Sequence, residues 1–413
     1  MTNINRRQAG ANFILLTVLL DALSIGVIVP VLPDLLKELG ASGTSSAWAM
    51  GALQGSFALA QFLFAAWLGA WSDHVGRKPV LLMGLFALAL CFLAGAWTDS
   101  LMVLLAFRAF SGAACANMAV ANAYVADVTP PDQMPAQYGK LGAVFGVGFI
   151  LGPALGGLVG EGHSRWPFLL AASLSGISLL YGWLVLPESL PPEKRRPWRA
   201  VSPWGALAQL RGMGALSPLL WVIGAVMLAQ AAVETFWLLY TTFRFGWGPR
   251  DNGLSLLVMG MAAALAQVVL LPRLQGRMSS QQMVQAGLWS FVACLVAWGL
   301  AHQGWMMWAV AVANALGYLV MPAAQSVIAA QVPDDRKGET MGALSALASV
   351  MAVLGPLMAS PVLAWVMDGS PQAWTAGAPF FCLAVVLAGV AWHHRRSMST
   401  TPQGIGLDQA PNP

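Results

Sequence analysis

The chain has 413 residues, of which 58% are hydrophobic and only 9% are charged. Soluble globular chains carry about a quarter charged residues, so a water-soluble fold is excluded. The net charge of +4 gives no ground for a nucleic-acid partner, because basic residues in so apolar a chain report first on membrane topology.

In chain order, Met1–Gly10 is short and polar, with Arg6 and Arg7. The apolar segment after it runs past signal-peptide length and lacks a small-residue cleavage site, so it is expected to stay as a first span with a cytoplasmic N-terminus. A crossing needs roughly 20 apolar residues. It must be helical, because lipid offers no partner for a free backbone N–H or C=O. The predicted spans are 11–33, 47–71, 79–97, 100–123, 140–160 and 166–186, then 218–243, 252–272, 283–301, 304–330, 340–366 and 377–394. The fold class expected is an all-α membrane protein of twelve transmembrane helices in two pseudo-symmetric six-helix bundles, 1–187 and 218–396. Between them lies a cytoplasmic linker, 188–217, with Pro191-Pro192, the run Lys194-Arg195-Arg196, Arg199 and Arg211. The tail 397–413 is rich in Pro, Gly, Ser and Thr and is expected to be disordered.

Charge placement tests this topology. Of the 21 Lys and Arg, only Lys37, Arg165, Arg244 and Arg250 fall on the outer side, and Arg108 falls within a span. The rest lie on the cytoplasmic side, a strong positive-inside bias that puts both termini in the cytoplasm of a bacterial-type inner membrane. The halves also resemble each other. Val128–Ala143 (VTPPDQMPAQYGKLGA) and Val332–Ala343 (VPDDRKGETMGA) each join a fourth span to a fifth. Gly152-Pro153 and Gly355-Pro356 then mark the fifth span of each half. Such parallel repeats place a substrate site between the halves near the midplane.

Three ionisable residues lie deep within spans: Asp21, Arg108 and Glu234. Each costs about 2.5–3.5 kcal/mol at a helix centre even on insertion scales. Asp21 is about ten residues into its span and Arg108 about eight from the outer face, roughly 15 Å and 12 Å deep. Those depths allow a direct or water-bridged pair, either as a static ion pair or as a working carboxylate whose proton affinity follows cavity wetting. Glu234 has no obvious partner; Gln230 precedes it by one turn and Trp237 follows at i+3, so the three can share a face. An unpaired buried carboxyl suits a proton carrier or a binder of cationic substrate, and Glu234 is expected to face Asp21 across the repeat axis. The alternative is a Glu at the outer headgroups.

Gly69-Ala-Trp-Ser-Asp73-His-Val-Gly76-Arg77-Lys78 joins the second span to the third. Its glycines permit a tight turn, Asp73 can face a helix N-terminus, and Arg77 and Lys78 anchor at the headgroups. In the fifth span Gly142, Gly146, Gly148, Gly152-Pro153 and Gly156-Gly157 allow close backbone approach and a bend.

The loop resembles the signature of the major facilitator superfamily, and the Gly-Pro pattern (Gly148, Gly152, Pro153, Gly156) resembles the mark of its antiporter branch. Leu20-Asp21-Ala22 with Gly26 and Pro30-Val31-Leu32-Pro33, Arg108-Ala-Phe-Ser-Gly112, Tyr124-Val-Ala-Asp127, Leu186-Pro187-Glu188-Ser189 and Met321-Pro322-Ala323 extend the similarity to tetracycline-efflux-type transporters over most of the chain. The resemblance implies that Arg108 supports proton coupling. It also implies that Asp73, Arg77 and Asp127, with Gly69 and Gly76, form a charge network latching the cytoplasmic side. The second-half loop, Pro272–Ser280, keeps only Arg273 and Arg277. Tetracycline pumps carry further buried acids in their third and ninth helices; Leu88–Phe92 and Trp289–Cys294 hold none here, so the substrate does not carry over.

Further cavity-lining candidates, or interhelical glue, are Gln61, Asn117, Asn122, Gln267, Asn314 and Gln325, beside Gln230 and Trp237. The cysteines Cys91, Cys115, Cys294 and Cys382 stand singly, and His74, His163, His302, His393 and His394 lie at loops or span ends, so no metal site is expected. No clustered nucleophile and base suggests an enzyme, and no re-entrant filter suggests a channel. The expectation is a monomeric secondary transporter in the lipid bilayer. It would export small molecules, drug- or tetracycline-like, by alternating access with proton antiport. The proton gradient is its driving force, and no cofactor or nucleic acid is involved. Export of an endogenous metabolite or siderophore uses the same motifs; proton symport for uptake fits the fifth-span pattern less well.

Overall fold

The computed structural model describes residues 3–114, 117–198, 204–205, 217–333 and 336–400. Cys115, Arg199, Arg211 and positions 401–413 of the expected tail lie outside the described residues. The described residues contain helices and no strand. Eleven helices are long and apolar enough to cross a membrane, and one bent pair makes a twelfth span. We number them α1 Phe13–Glu38, α2 Thr44–Val75, α3 Arg77–Trp97, α4 Leu101–Val128, α5 Ala136–Val159 and α6 Trp166–Val185. The second half comprises α7 Pro218–Phe245, α8 Pro249–Gln275, α9 Ser280–Leu300, the pair Gly304–Ala313 and Gly317–Gln331 as α10, α11 Thr340–Met367 and α12 Trp374–Arg396. The last helix runs on to Thr400, into the segment expected to be a disordered tail. Helix propagation needs only one further bond per residue, so the helix carries on past the span into these first tail residues.

Local irregularities follow from particular residues. Pro30 and Pro33 remove two backbone donors, and α1 tightens to a 3-10 turn at Val29–Val31 before finishing as Leu32–Glu38. In α8, Pro272 has no N–H for the carbonyl of Val268, and Ala266–Leu270 opens into a π turn just before it. The span α10, expected to be continuous over 304–330, bends by 49° around Asn314. There the Asn314 amide occupies the room left by the missing Cβ of Gly317 and accepts a bond from Ser290 Oγ at 3.2 Å.

The repeat is visible in how each half packs its fifth helix on its first. Added at Gly152, a Cβ would lie 2.9 Å from Gly26 Cα; at Gly355 it would lie 2.6 Å from the Ala231 methyl. Gly148, Gly152 and Gly156 all turn toward α1, meeting the backbone at Leu19, Leu23, Gly26 and Val27, and Pro153 packs on Gly26. Gly157 instead faces the other half.

On the face opposite the termini the halves are sealed. A Cβ at Gly157 would lie 2.5 Å from Pro249 O and 3.1 Å from Gly253 Cα, and Gly253 sits equally close to Pro153. Gly51 abuts Ser360, Thr44 Oγ1 donates to Asp368, and Arg250 approaches Glu161 at 4.0 Å. The buried core on this side is continuous across both halves, from Leu35, Met50 and Leu53 to Trp237 and Leu363. Toward the termini, Ile14, Leu68, Leu81, Tyr124 and Leu141 form a separate core belonging to the first half alone. Large apolar side chains such as Met102, Leu184, Val268 and Val385 are exposed around the perimeter, as a lipid-facing surface requires.

Candidate functional site

Three cavities run in a row through the molecule on the terminal side of that seal. The first, about 180 Å³, lies within the first half and is lined by Thr17, Asp21, Gln61, Asn117 and Phe145 among others. The second, about 250 Å³, lies between the halves, with Gln54, Phe57, Gln61, Arg108, Phe145, Glu234, Ala352 and Pro356 in its wall. The third, about 200 Å³, lies within the second half and is lined by Gln230, Glu234, Gln267, Phe291, Trp298, Asn314 and Tyr318. Gln61 and Phe145 are common to the first two, and Glu234 is common to the last two.

Asp21 is buried on α1, and its Oδ1 has no hydrogen-bond partner. Among the described residues no ion pair includes it. The direct ion pair with Arg108 that the depths allowed is therefore not formed. Arg108 Nη2 donates to Gln54 Oε1 at 2.8 Å, and its guanidinium lies 4.6 Å above the centre of the Phe57 ring. The amide and the aromatic face hold the cation on the α2 side, while Asp21 opens into the neighbouring pocket. Gln54 was not singled out from the sequence. It lies seven residues before Gln61, two turns away on the same face of α2, and that spacing was the available signal.

Glu234 faces the cavities and not the headgroups, with Gln230 one turn before it. It does not face Asp21 directly, since Asp21 lies one pocket deeper in the first half. Trp237 departs from the shared face. It is 1% exposed, donates from Nε1 to Ser255 Oγ at 3.0 Å and packs edge-on against Trp298. Three residues advance a helix by about 300°, leaving the indole some 60° off the Glu234 direction, and burial of its large apolar surface decides the rest. Asn122 and Gln325 are exposed on their helices and line none of these cavities. Asn117 is placed as expected, its amide filling the gap at Gly84.

The loop between α2 and α3 builds a charge cluster centred on Arg77, which is 7% exposed. Arg77 Nη2 meets Asp73 at 2.6 Å, its Nε donates to Asp127 at 3.0 Å, and its Nη1 donates to Ser72 Oγ at 2.6 Å. Asp73 does not serve the α3 N-terminus. Glu188 takes that place, accepting from the N–H groups of Arg77 at 2.9 Å and Lys78 at 3.2 Å. A carboxylate set across the first turn meets two orphan donors and the positive end of the helix dipole, which Asp73, four residues back on the preceding helix, cannot reach. Gly76 alone makes the turn, at φ 120°; Gly69 sits inside α2 with open space around its Cβ position. Ser189 also donates to Asp127 at 3.1 Å, and the Arg196 N–H donates to the Asp73 carbonyl at 3.0 Å, so the start of the linker is stitched to the cluster. Among the described residues no group of His, Cys, Asp or Glu could hold a metal ion.

Two helical repeats, sealed on one face around polar cavities, define a secondary transporter. The family model of the Major Facilitator Superfamily matches residues 14–356. The chain is 37% identical over 388 residues to the class C tetracycline resistance protein of Escherichia coli, covering 93% of this chain and 98% of that one. It is 26% identical to the quinolone resistance protein NorA of Staphylococcus aureus (strain MRSA252), covering 82% and 85%. Among solved structures, the human organic anion transporter MFSD10 superposes with a TM-score of 0.68 at 24% identity, covering 94% and 99%. A bacterial homologue of the lysosomal transporter Spinster, inward-facing and unoccupied, gives 0.73 at 17% identity, covering 95% and 97%. The chain belongs to the Major Facilitator Superfamily. It is a multi-pass membrane transporter for efflux of small molecules and not an enzyme.

Proposed function

We propose that the chain exports a tetracycline-like or similarly amphiphilic drug from the cytoplasm in exchange for protons. It would act as a monomer in a bacterial-type inner membrane, with both termini cytoplasmic. The observation carrying this reading is the pair of carboxylates, one per half, that line connected cavities without an ion-pair partner among the described residues. Names of relatives support the substrate class: classes C, D and B are all tetracycline resistance proteins.

In this reading the sealed face is the outer one, and the cavities load from the cytoplasm. Asp21 carries the proton. Its environment contains hydroxyl and amide groups but no fixed positive charge in bonding contact, so proton binding there is reversible as water enters or leaves. Arg108, tethered by Gln54, sits across the shared Gln61 wall. Glu234 holds substrate while ionised and releases it when protonated from outside. The bundles 1–187 and 218–396 rock about the site, with 188–217 as linker, and the Asp73–Arg77–Asp127 cluster with Gly69 and Gly76 serves the cytoplasmic gate. No cofactor takes part.

The test is tetracycline uptake into inverted membrane vesicles energised by an inward-acid pH gradient. Uptake by wild type and none by Asp21→Asn, at equal membrane abundance, is the expected result. Equal uptake by both removes Asp21 from the coupling.

A further inference from the structure

The linker comes back to the molecule after passing the α2–α3 turn. The Arg196 N–H donates to Asp73 O at 3.0 Å, and His74 Nδ1 lies 3.1 Å from Arg196 O, which fixes the chain at the end of α2. Eight residues on, the Trp204 indole meets the Phe62 ring edge-on, with centroids 5.3 Å apart and planes at 76°. Phe62 stands eleven residues before Asp73 on α2, about 16 Å back along the helix, a distance that eight linker residues span easily at about 3.3 Å each. Phe62 is buried, whereas Trp204 keeps 61% of its surface exposed. The linker therefore lays a large ring three turns inside the end of α2.

The stripe of α2 that carries Phe62 is the one that faces the other half. Eleven residues advance a helix by three turns and about 20°, and seven by about 20° less than two turns, so Phe62 points with Gly51 and Gly55. A Cβ at Gly51 would run into the Ser360 side chain of α11, and one at Gly55 would lie 3.8 Å from Pro356 Cβ. Ala58, next on this stripe, lines the central cavity together with Ala352 and Pro356. These contacts fix an antiparallel register. Carried toward the termini, that register sets Phe62 opposite Ser349 and Gly69 opposite Gly342. Gly69 and Gly342 have open space around their Cβ positions, so the two helices stand apart at that end. Ser349 is small, and its Oγ donates within its own helix to Ser345 O at 3.1 Å. Nothing on α11 here is large enough to keep α2 away; the ring of Trp204 is.

We propose that Trp204 is a removable wedge, seated on Phe62 in the path of α11, which holds the terminal face open and must leave its seat before that face can close. Contacting carbons stay about 3.5–4.0 Å apart, so an interposed ring keeps the two helices at least that much further from contact. The indole meets α2 by a ring edge and leaves most of its surface exposed, so it withdraws without dismantling a core. Its tether at Arg196 keeps it close to the seat and favours its return when the helices part again. The linker thus does more than join the bundles, because it weights the balance between the open and closed forms. The inference rests on the alternating-access reading, but neither substrate nor proton enters it, so the two fail separately.

The test uses the purified full-length chain lacking Cys91, Cys115, Cys294 and Cys382, with Gly69→Cys and Gly342→Cys as a closure reporter. A disulfide forms only when the two Cα atoms come within about 7 Å, hence only when the face closes. Without drug or gradient, copper-phenanthroline should cross-link this pair faster in Trp204→Ala than in the parent, by about 2- to 12-fold, the range that one aromatic pair sets. Phe62→Ala should give a similar gain, and combining the two should add little, because the rings act as one pair. Trp198→Ala, at a position 48% exposed on the same linker, should match the parent. Size-exclusion profiles confirm folding. A parental rate in Trp204→Ala, an equal gain in Trp198→Ala, or fully additive gains in the double variant overturns the wedge. Cross-linking in none of the variants overturns the closing register and the wedge with it. The expected cross-linking pattern with no gradient-driven flux would sink the coupling and leave the wedge standing.

Discussion

On the proposed topology, Gly157→Ala should turn the transporter from cytoplasm-facing toward outward-facing. The added Cβ would lie 2.5 Å from Pro249 O and 3.1 Å from Gly253 Cα, where real Cβ contacts stay above 3.0 Å. The α5 and α8 backbones must therefore part by at least 0.5 Å, and both are rigid helices with no flexible side chain to give way. Overpacking of this kind costs about 1–3 kcal/mol. In the proposed alternating-access cycle Gly157 leaves α8 when this face opens, so the penalty falls on the sealed state alone. It should shift their ratio by about 5- to 150-fold. The assay places a single cysteine at Ala352, in the central cavity, in a background lacking Cys91, Cys115, Cys294 and Cys382. A membrane-impermeant maleimide should label it faster from outside and slower from the cytoplasm in Gly157→Ala. Gly146→Ala, on the same helix but with nothing within 4 Å, is the control and should match the parent. Unchanged labelling in Gly157→Ala, or an equal change in Gly146→Ala, refutes the argument that this seal sets the equilibrium.

Asp73→Ala or Asp127→Ala leaves Arg77 with one carboxylate fewer in its cluster and should raise cysteine labelling from the cytoplasmic side; unchanged labelling removes the cluster from the gate. Gly76→Ala combines a φ of 120° with a Cβ 2.5 Å from Glu188 Oε2 and should lower thermal stability by about 1–3 kcal/mol; a wild-type melt contradicts the turn assignment. Glu188→Gln keeps the shape but removes the charge over the α3 N-terminus, for an expected loss of about 0.5–1 kcal/mol read in the same melt.

Much of this architecture was legible in the sequence because lipid leaves so few choices. Apolar runs of sufficient length fixed the twelve crossings, and the Gly-Pro pairs at Gly152 and Gly355 exposed the repeat that the structure packs alike in both halves. Glu234 was found by the same logic, since a carboxyl in a span needs a cavity. What remained hidden were features decided by a third element. Arg108 donates to an amide on α2, which no depth estimate along α1 and α4 could reveal. Trp237 left the predicted face because a large ring finds more buried surface in the α9 and α12 contact. The N-terminus of α3 is met by Glu188, 111 positions away in sequence, where only the nearby Asp73 was visible. The π turn in α8 and the break in α10 depend on Pro272 and on the Asn314–Gly317 fit, both masked by an apolar background that reads as continuous helix.

The central claim, exchange of drug for protons through Asp21, is tested most directly by proton movement itself. Proteoliposomes with an acidic lumen containing pyranine are given tetracycline outside, and lumenal pH is followed for wild type and Asp21→Asn. Antiport predicts that tetracycline accelerates proton exit in wild type beyond the rate in Asp21→Asn and in protein-free vesicles. Equal rates in all three, or slowed proton exit on adding drug, would contradict it.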